Sequence, residues 1–434
     1  MSILVPPLRG VVAVPGRVRN ELWRKAGVVP SLDQRFAENK SLIDSISGQQ
    51  LTTFTRVGNG TFVDSSGAIQ TAGTNVARFT HDPVTLESLG LLVEEQCTNG
   101  IRNNTMVGAV AGTPGTLPTN WVDFPAGLTR QILGTGTING VNYIDIRLSG
   151  TTNTTSLAIG FEASTQIVAA TGQAWSQSLW LAVIGGSISG IDRLLINYVE
   201  RSAVGGAVVQ QNSTDLRSLI SSAFARYLSS VTLTGGANTA FVQPRLLFGF
   251  ASGASIDITL RIGLPQIEQS AVVTSVIPTS TTAVTRNASV ADVINQAIAS
   301  NIRTLYLEFR SPAVGTRGVV SLNDNTANER VNVLTSGADP RLVVVDGGVE
   351  QANVNGGAIT ANTRVRVAVR INGNDFAISI NGAAVVTDTS GTLPTVDRLM
   401  LGRTQAGEYL NGTLARVTGW REALSNSTLQ TLTG

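Results

Sequence analysis

The sequence predicts an all-β protein: a small β-rich N-terminal adaptor followed by two antiparallel β-sandwiches of the jelly-roll type. Three observations lead there. Apolar and polar residues alternate with period two along much of the chain, Gly- and Asn-rich turns punctuate it at short intervals, and charged residues make up only 14% of it. At 434 residues the chain exceeds one ordinary core, so several domains are expected. The 42% hydrophobic content can fill those cores. Thr, Ser, Asn, Gln and Gly must then carry the polar surface that charge does not.

Residues 1–30 form a segment punctuated by Pro6, Pro7, Pro15 and Pro30. Arg9, Arg17, Arg19 and Arg24 are the candidate anchoring residues of this arm, set against one acid, Glu21. Basic arms can bind nucleic acid, but this spacing is sparse, and 31 basic against 29 acidic residues leave a net charge of only +2. An arm docking on a partner protein is expected instead, with no nucleic acid. The opening "MSILVPPLRG" is cut by proline after five residues, so no secretory leader is expected in it. No run approaches the roughly 18 apolar residues of a membrane span, so no membrane insertion is expected.

Residues 31–103 read as the adaptor, where "VGNGTFV" and "DSSGAI" look like hairpin turns between short strands. Residues 104–285 read as the first sandwich. "NYIDIRLSG" sets Ile144, Ile146 and Leu148 against Tyr143, Asp145 and Arg147, and "SIDITLRIG" repeats the pattern. The stretch 214–230 fits helix and strand equally. The Thr/Ser-rich "PTSTTAVTRNASV" is a connector. Residues 286–434 read as the second sandwich: Val365, Val367, Val369 and Ile371 point inward from a strand whose arginines point out. Asn-Gly at 372–373 and 381–382 signals two type I′ hairpins. Ser425 or Asn426 can cap a last short helix.

The chemistry-bearing residues are few. A lone Cys97 and a lone His81 exclude an internal disulfide and most zinc and His-dependent catalytic designs. In "ESLGLLVEEQCTNGIRN" a cysteine nucleophile needs a nearby base, and the spacing offers no orienting third group. Adjacent Glu94 and Glu95 point to opposite faces of a strand and cannot flank one glycosidic bond, which needs carboxyls about 5–9.5 Å apart. Asp and Asn in loops 321–329 and 346–357 suit calcium, but ordinary turn chemistry accounts for them. No phosphate-loop or dinucleotide fingerprint occurs. Catalytic, metal and cofactor-binding residues are therefore expected to be none. Sugar recognition by stacking and hydrogen bonding remains, with Tyr409 in the "QAGEYLNG" loop, Asn411 and Arg403 as candidate glycan contacts.

Three stretches, "PSLDQRFAENKSLIDSISGQQLTTFTR", "ARFTHDPVTLESLGLLVEEQCTN" and "GLPQIEQSAVVTSVIPTSTTAVTR", together resemble bacteriophage virion proteins of the head-spike, head-fibre or tail-fibre kind. Those proteins usually carry Arg where Cys97 stands. "NWVDFPAGLTRQILGTGTINGVNYIDIRLSGTT" resembles the start of a carbohydrate-binding-module-like sandwich. "VRVAVRINGNDFAISING" and "LMLGRTQAGEYLNGTLARVTGWREALSNSTLQTLT" resemble a concanavalin/laminin-G-like domain. The resemblance implies a non-enzymatic head spike or fibre on the outside of a phage particle, attached to other virion proteins through its N-terminal region. It implies a homo-oligomer, a trimer by analogy, that adheres to host surface polysaccharide. The alternatives are a tail fibre or receptor-binding protein, and a polysaccharide-degrading spike enzyme.

Overall fold

A computed structural model describes residues 22–434, and within them the protein is all-β apart from four helical segments of at most eight residues and one short 3-10 turn. Two sandwiches account for nearly all strands.

The larger sandwich faces an eight-stranded sheet with a seven-stranded one. The first sheet runs Val386–Asp388, Asp375–Ile380, Val365–Asn372, Thr304–Arg310, Gly412–Trp420, Ser88–Val93 and Phe79–His81, and Leu32–Gln34 also pairs with Gly412–Trp420. The second runs Thr52–Thr55, Val290–Val293, Arg398–Leu401, Arg317–Asn323, Arg330–Ser336, Asp339–Asp346 and Val349–Asn355. Residues 31–103, expected as an adaptor of their own, thus supply strands to both sheets of the 286–434 sandwich. Leu32 pairs with Gly419, Val93 with Gly412, and Thr55 with Val290. Leu32, Phe36, Phe54, Leu91 and Val93 sit in one core with Leu305, Val367, Val369 and Leu401. The physical reason is edge satisfaction. Gly412–Trp420 carries an open ladder on one side, and the N-terminal strands fill it end to end.

Residues between are an insertion. The chain leaves through Cys97–Asn99 and returns through Val284–Arg286, and these two strands pair antiparallel at the base. The inserted sandwich has two five-stranded sheets. One is ordered Ala225–Thr232, Ala174–Gly186, Ser255–Glu268, Val141–Thr151, Thr129–Ile138, and the other Ala207–Asp215, Arg193–Arg201, Phe241–Gly249, Ser156–Gly160, Val122–Phe124. Ile144, Ile146, Leu148, Ile256, Ile258 and Leu260 point into its core, as alternation predicts. Asp145 and Arg147 on the outer face pair across the ladder with Arg261 and Asp257, at 2.9 and 2.8 Å.

Several local expectations resolve. The ambiguous stretch 214–230 becomes the end of one strand, a turn, and the start of Ala225–Thr232. Asn381 and Gly382 both have positive φ, 47° and 80°, as a type I′ pair requires. At 372–375 only Asn374 is left-handed, at 57°, so that hairpin turns on Gly373–Asn374 rather than on Asn372–Gly373. "DSSGAI" is a hairpin between Gly60–Val63 and Ile69–Ala72. "VGNGTFV" is not, because Thr52–Thr55 leaves to pair with Val290–Val293. Ser425 caps the final helix Asn426–Thr433 by accepting from the Thr428 amide at 3.2 Å. Trp420 is fully buried beneath that helix with Leu429 and Leu432.

Candidate functional site

The outer face of the sheet containing Arg193–Arg201 and Phe241–Gly249 carries a cleft of about 210 Å³. Its origin is the outer face that strand alternation leaves to these two strands. In "FVQPRLLFG" the residues Val242, Leu246 and Phe248 enter the core, which turns Gln243, Arg245 and Leu247 outward. In "RLLINYVER" Leu194, Ile196 and Tyr198 enter the core, which turns Arg193, Leu195, Asn197 and Arg201 to the same outer face. Ala158, Leu195 and Leu247 pack together as an apolar floor. Phe124, 41% exposed, Arg193, Gln210 and Arg245 line the walls.

Arg245 is held rigidly. Its Nε and Nη2 donate to Asn197 Oδ1 at 3.0 and 2.7 Å, and its guanidinium lies 5.8 Å from the Phe124 ring centroid. Burial, aided by repulsion from Arg201, lowers its pKa to about 10, so it stays a cation at neutral pH. Arg201 donates to Gln243 Oε1 at 3.2 and 2.6 Å. An exposed aromatic over an apolar floor, with fixed donors at the rim, is the chemistry that holds a sugar ring. Reasoning along the sequence missed these residues. The available signal was the polar pair Gln243 and Arg245, two positions apart in an otherwise apolar strand.

The expected glycan contacts sit elsewhere, on the larger sandwich, and are occupied within the fold. Arg403 donates to both Asp292 carboxylate oxygens, at 2.8 and 2.7 Å. Asn411 is buried, gives its amide to Glu95 Oε1 at 2.8 Å and accepts from the Glu95 backbone amide. Tyr409 is half-buried and packs on the core, bridging to Arg403 through the backbone. Of the expected anchoring residues, Arg9, Arg17 and Arg19 lie outside the described residues. Arg24 is exposed on the short helix Leu22–Ala26, 5.2 Å from the Trp23 ring centroid. That helix rests on the chain's own C-terminus: Leu22 joins the Trp420 cluster, and Lys25 donates to the Thr431 carbonyl at 3.0 Å.

The stretch "ESLGLLVEEQCTN" forms the seam between the sandwiches. Glu94 is fully buried and meets Arg78 at 2.7 Å and Arg286 at 3.5 Å, while the Ser275 amide and hydroxyl donate to it at 2.6 and 2.7 Å. Desolvation raises the Glu94 pKa, but the two guanidinium groups and Ser275 outweigh it and hold it at about 2. Glu95, on the opposite face, turns to Asn411 and Ser270. Cys97 is buried beside the Glu268 carboxylate, and burial, then that carboxylate, pushes its thiol pKa up. That is the reverse of what a nucleophile needs. His81 is tied instead to the Val63 carbonyl at 3.1 Å. Among the described residues no group of three His, Cys, Asp or Glu gathers as a metal site.

A second groove, of about 280 Å³, lies on the outer face of the eight-stranded sheet, lined by Glu38, Glu87, Glu308, Arg310 and Arg364. Arg364 bonds to Glu308 and approaches Glu87 at 3.8 Å; Arg310 also bonds to Glu87, and the Tyr306 hydroxyl donates to Glu308 at 3.0 Å.

No protein-family model matches the chain, and no curated protein matches it. Domain 4 of AbnA, a GH43 extracellular arabinanase from Geobacillus stearothermophilus in complex with arabinotriose, is similar over 34% of this chain and 73% of that one, at 16% identity and a TM-score of 0.28. Domains LG4-5 of the mouse laminin alpha1 chain are similar over 65% and 89%, at 12% identity and a TM-score of 0.22. The N-terminal tandem of CBM22 domains from a Paenibacillus barcinonensis protein is similar over 72% and 99%, at 9% identity and a TM-score of 0.26. Likeness this distant carries neither a ligand nor an activity across to this chain.

Proposed function

We propose that this protein recognises glycans without cleaving them, through the cleft of Phe124, Arg193, Gln210 and Arg245 on the inserted sandwich, as a receptor-binding spike or fibre on the outside of a phage particle. The observation that carries the glycan part is the pairing of an exposed aromatic and an apolar floor with rigidly held donors. The virion part rests on the resemblance of the three front-half stretches. In this reading the region before residue 30 attaches to other virion proteins, and repetition around a symmetry axis, as a trimer, turns weak single sites into avidity for host polysaccharide. The test is binding of host surface polysaccharide by the whole chain in affinity electrophoresis, against a Phe124→Ala variant. Retardation that weakens in the variant supports the reading. No retardation by capsule or lipopolysaccharide preparations removes it.

A polysaccharide-degrading spike is the second reading, and the observation behind it is that one groove gathers two carboxylates, Glu87 and Glu308, on either side of Arg364, since glycoside hydrolysis uses a carboxyl pair. This reading requires release of reducing ends from the polysaccharide, lost in both Glu87→Gln and Glu308→Gln. Intact polysaccharide after prolonged incubation excludes it.

A further inference from the structure

The charge around the inserted sandwich's cleft is one-sided. Arg193 and Arg245 line the cleft, Arg201 rises further along the same sheet face, and among the described residues none of the three makes an ion pair. Among the other strand arginines of the inserted sandwich, Arg130, Arg147 and Arg261 pair with Asp123, Asp257 and Asp145, whereas Arg226 donates to the Ser178 hydroxyl and the Thr274 carbonyl without an ion pair. The carboxylates near the cleft are committed away from it. Asp123 bonds to Arg130, Glu162 to Arg102, Glu200 to Gln211 and Thr239, and Asp215 accepts from the amides of Leu194 and Arg217. Arg245 spends Nε and Nη2 on the neutral amide of Asn197, and its Nη1 makes no hydrogen bond within the described residues. Arg193 lies across Gly249, where an added Cβ would come within 2.7 Å of Nε, and its guanidinium donates to nothing among the described residues.

Burying a guanidinium without a counter-charge is costly, and the cost is recovered when an anion arrives. A protein with 14% charged residues that still leaves the buried Arg245 and the exposed Arg193 without counter-charges in one cleft has a ligand charge left to answer. We propose that the cleft selects acidic polysaccharide, taking a hexuronate residue with its carboxylate on Arg245 and Arg193 and its ring against Phe124. The planar fork of arginine fits a planar carboxylate through two parallel bonds. A cleft of about 210 Å³ takes one sugar of a longer chain, the rest running on over the sheet. This inference rests on the glycan reading above and adds the class of sugar.

The experiment is titration calorimetry of the full chain with trigalacturonate, its methyl-esterified form, neutral galactotriose and a sulfated galactan trisaccharide. Trigalacturonate should bind about tenfold tighter than galactotriose, because two charge-assisted bonds replace neutral ones. The margin should shrink between 50 and 300 mM NaCl, and it should vanish in Arg245→Gln. Because Arg245 is buried, that variant can lose its fold. Arg193→Gln, on an exposed side chain, must also reduce the margin, with an unchanged circular dichroism spectrum. Equal affinity for the acidic and neutral trisaccharides overturns the charge inference and leaves the glycan reading standing, as does a preference untouched in both variants. Equal or tighter binding of the sulfated sugar overturns the carboxylate assignment. Binding of none of the four sugars, nor of host polysaccharide, defeats the glycan reading and this inference together.

Discussion

Replacing Glu94 by Gln removes the one carboxylate that faces Arg78 and Arg286 in the seam between the sandwiches. Its shape stays and its charge goes. The magnitude follows from its titration. A fall from the ordinary 4.5 to about 2 in the folded protein, at 1.36 kcal/mol per unit, corresponds to about 3 kcal/mol of stability. Breaking a buried ion pair by removing one partner costs roughly the same, 3–5 kcal/mol. Because the folded pKa lies below the unfolded one, this contribution is complete above about pH 4.5 and is lost as pH falls toward 2. Urea denaturation at pH 7, 4.5, 3 and 2, followed by far-UV circular dichroism, should therefore show the variant less stable by about 3 kcal/mol at pH 7. The two proteins should converge as pH approaches 2. A variant with the parent's midpoint at pH 7, or a gap that does not narrow in acid, would refute the reasoning.

Three further outcomes are expected. Residues 286–434 expressed alone should show no cooperative unfolding and should bind hydrophobic dye, since Leu32, Phe54, Leu91 and Val93 belong to their core, whereas residues 100–282 should fold by themselves; cooperative melting of the first fragment contradicts the shared-sheet arrangement. Trp420→Ala, which empties a fully buried site under the last helix, should cost about 3–5 kcal/mol in thermal or chemical unfolding, and a loss under 1 kcal/mol would mean the helix does not depend on it. Cys97 should react with a disulfide reagent at pH 8 at least about a hundred times more slowly in the native protein than in urea, because burial and Glu268 keep it a thiol; matching rates would place it at the surface.

Much of this protein was legible residue by residue. Alternation identified the strands Val141–Thr151, Ser255–Glu268 and Val365–Asn372, because a pleated chain presents every second side chain to one face. Turn chemistry located Asn381–Gly382, and of the two caps the sequence offered for the last helix, Ser425 and Asn426, the structure uses Ser425. The split of Glu94 and Glu95 across two faces was visible for the same reason. Tyr409, Asn411 and Arg403 looked available because a sequence shows donors without their partners, and in the fold Asp292 and Glu95 have taken two of the three.

Local sequence determined which segments are strands, where they turn and which of their faces is apolar. Tertiary structure alone decided which strands meet. A ladder partner is chosen by an open edge, and the edge that Leu32–Gln34 and Ser88–Val93 satisfy belongs to a strand more than 300 residues later. Periodicity carries no information about that choice, so an apparent adaptor became part of a sandwich and the region between became an insertion. The cleft arises the same way. Phe124, Arg193, Gln210 and Arg245 come from four strands, each ordinary in its own stretch of sequence, and only their shared outward face makes them a site.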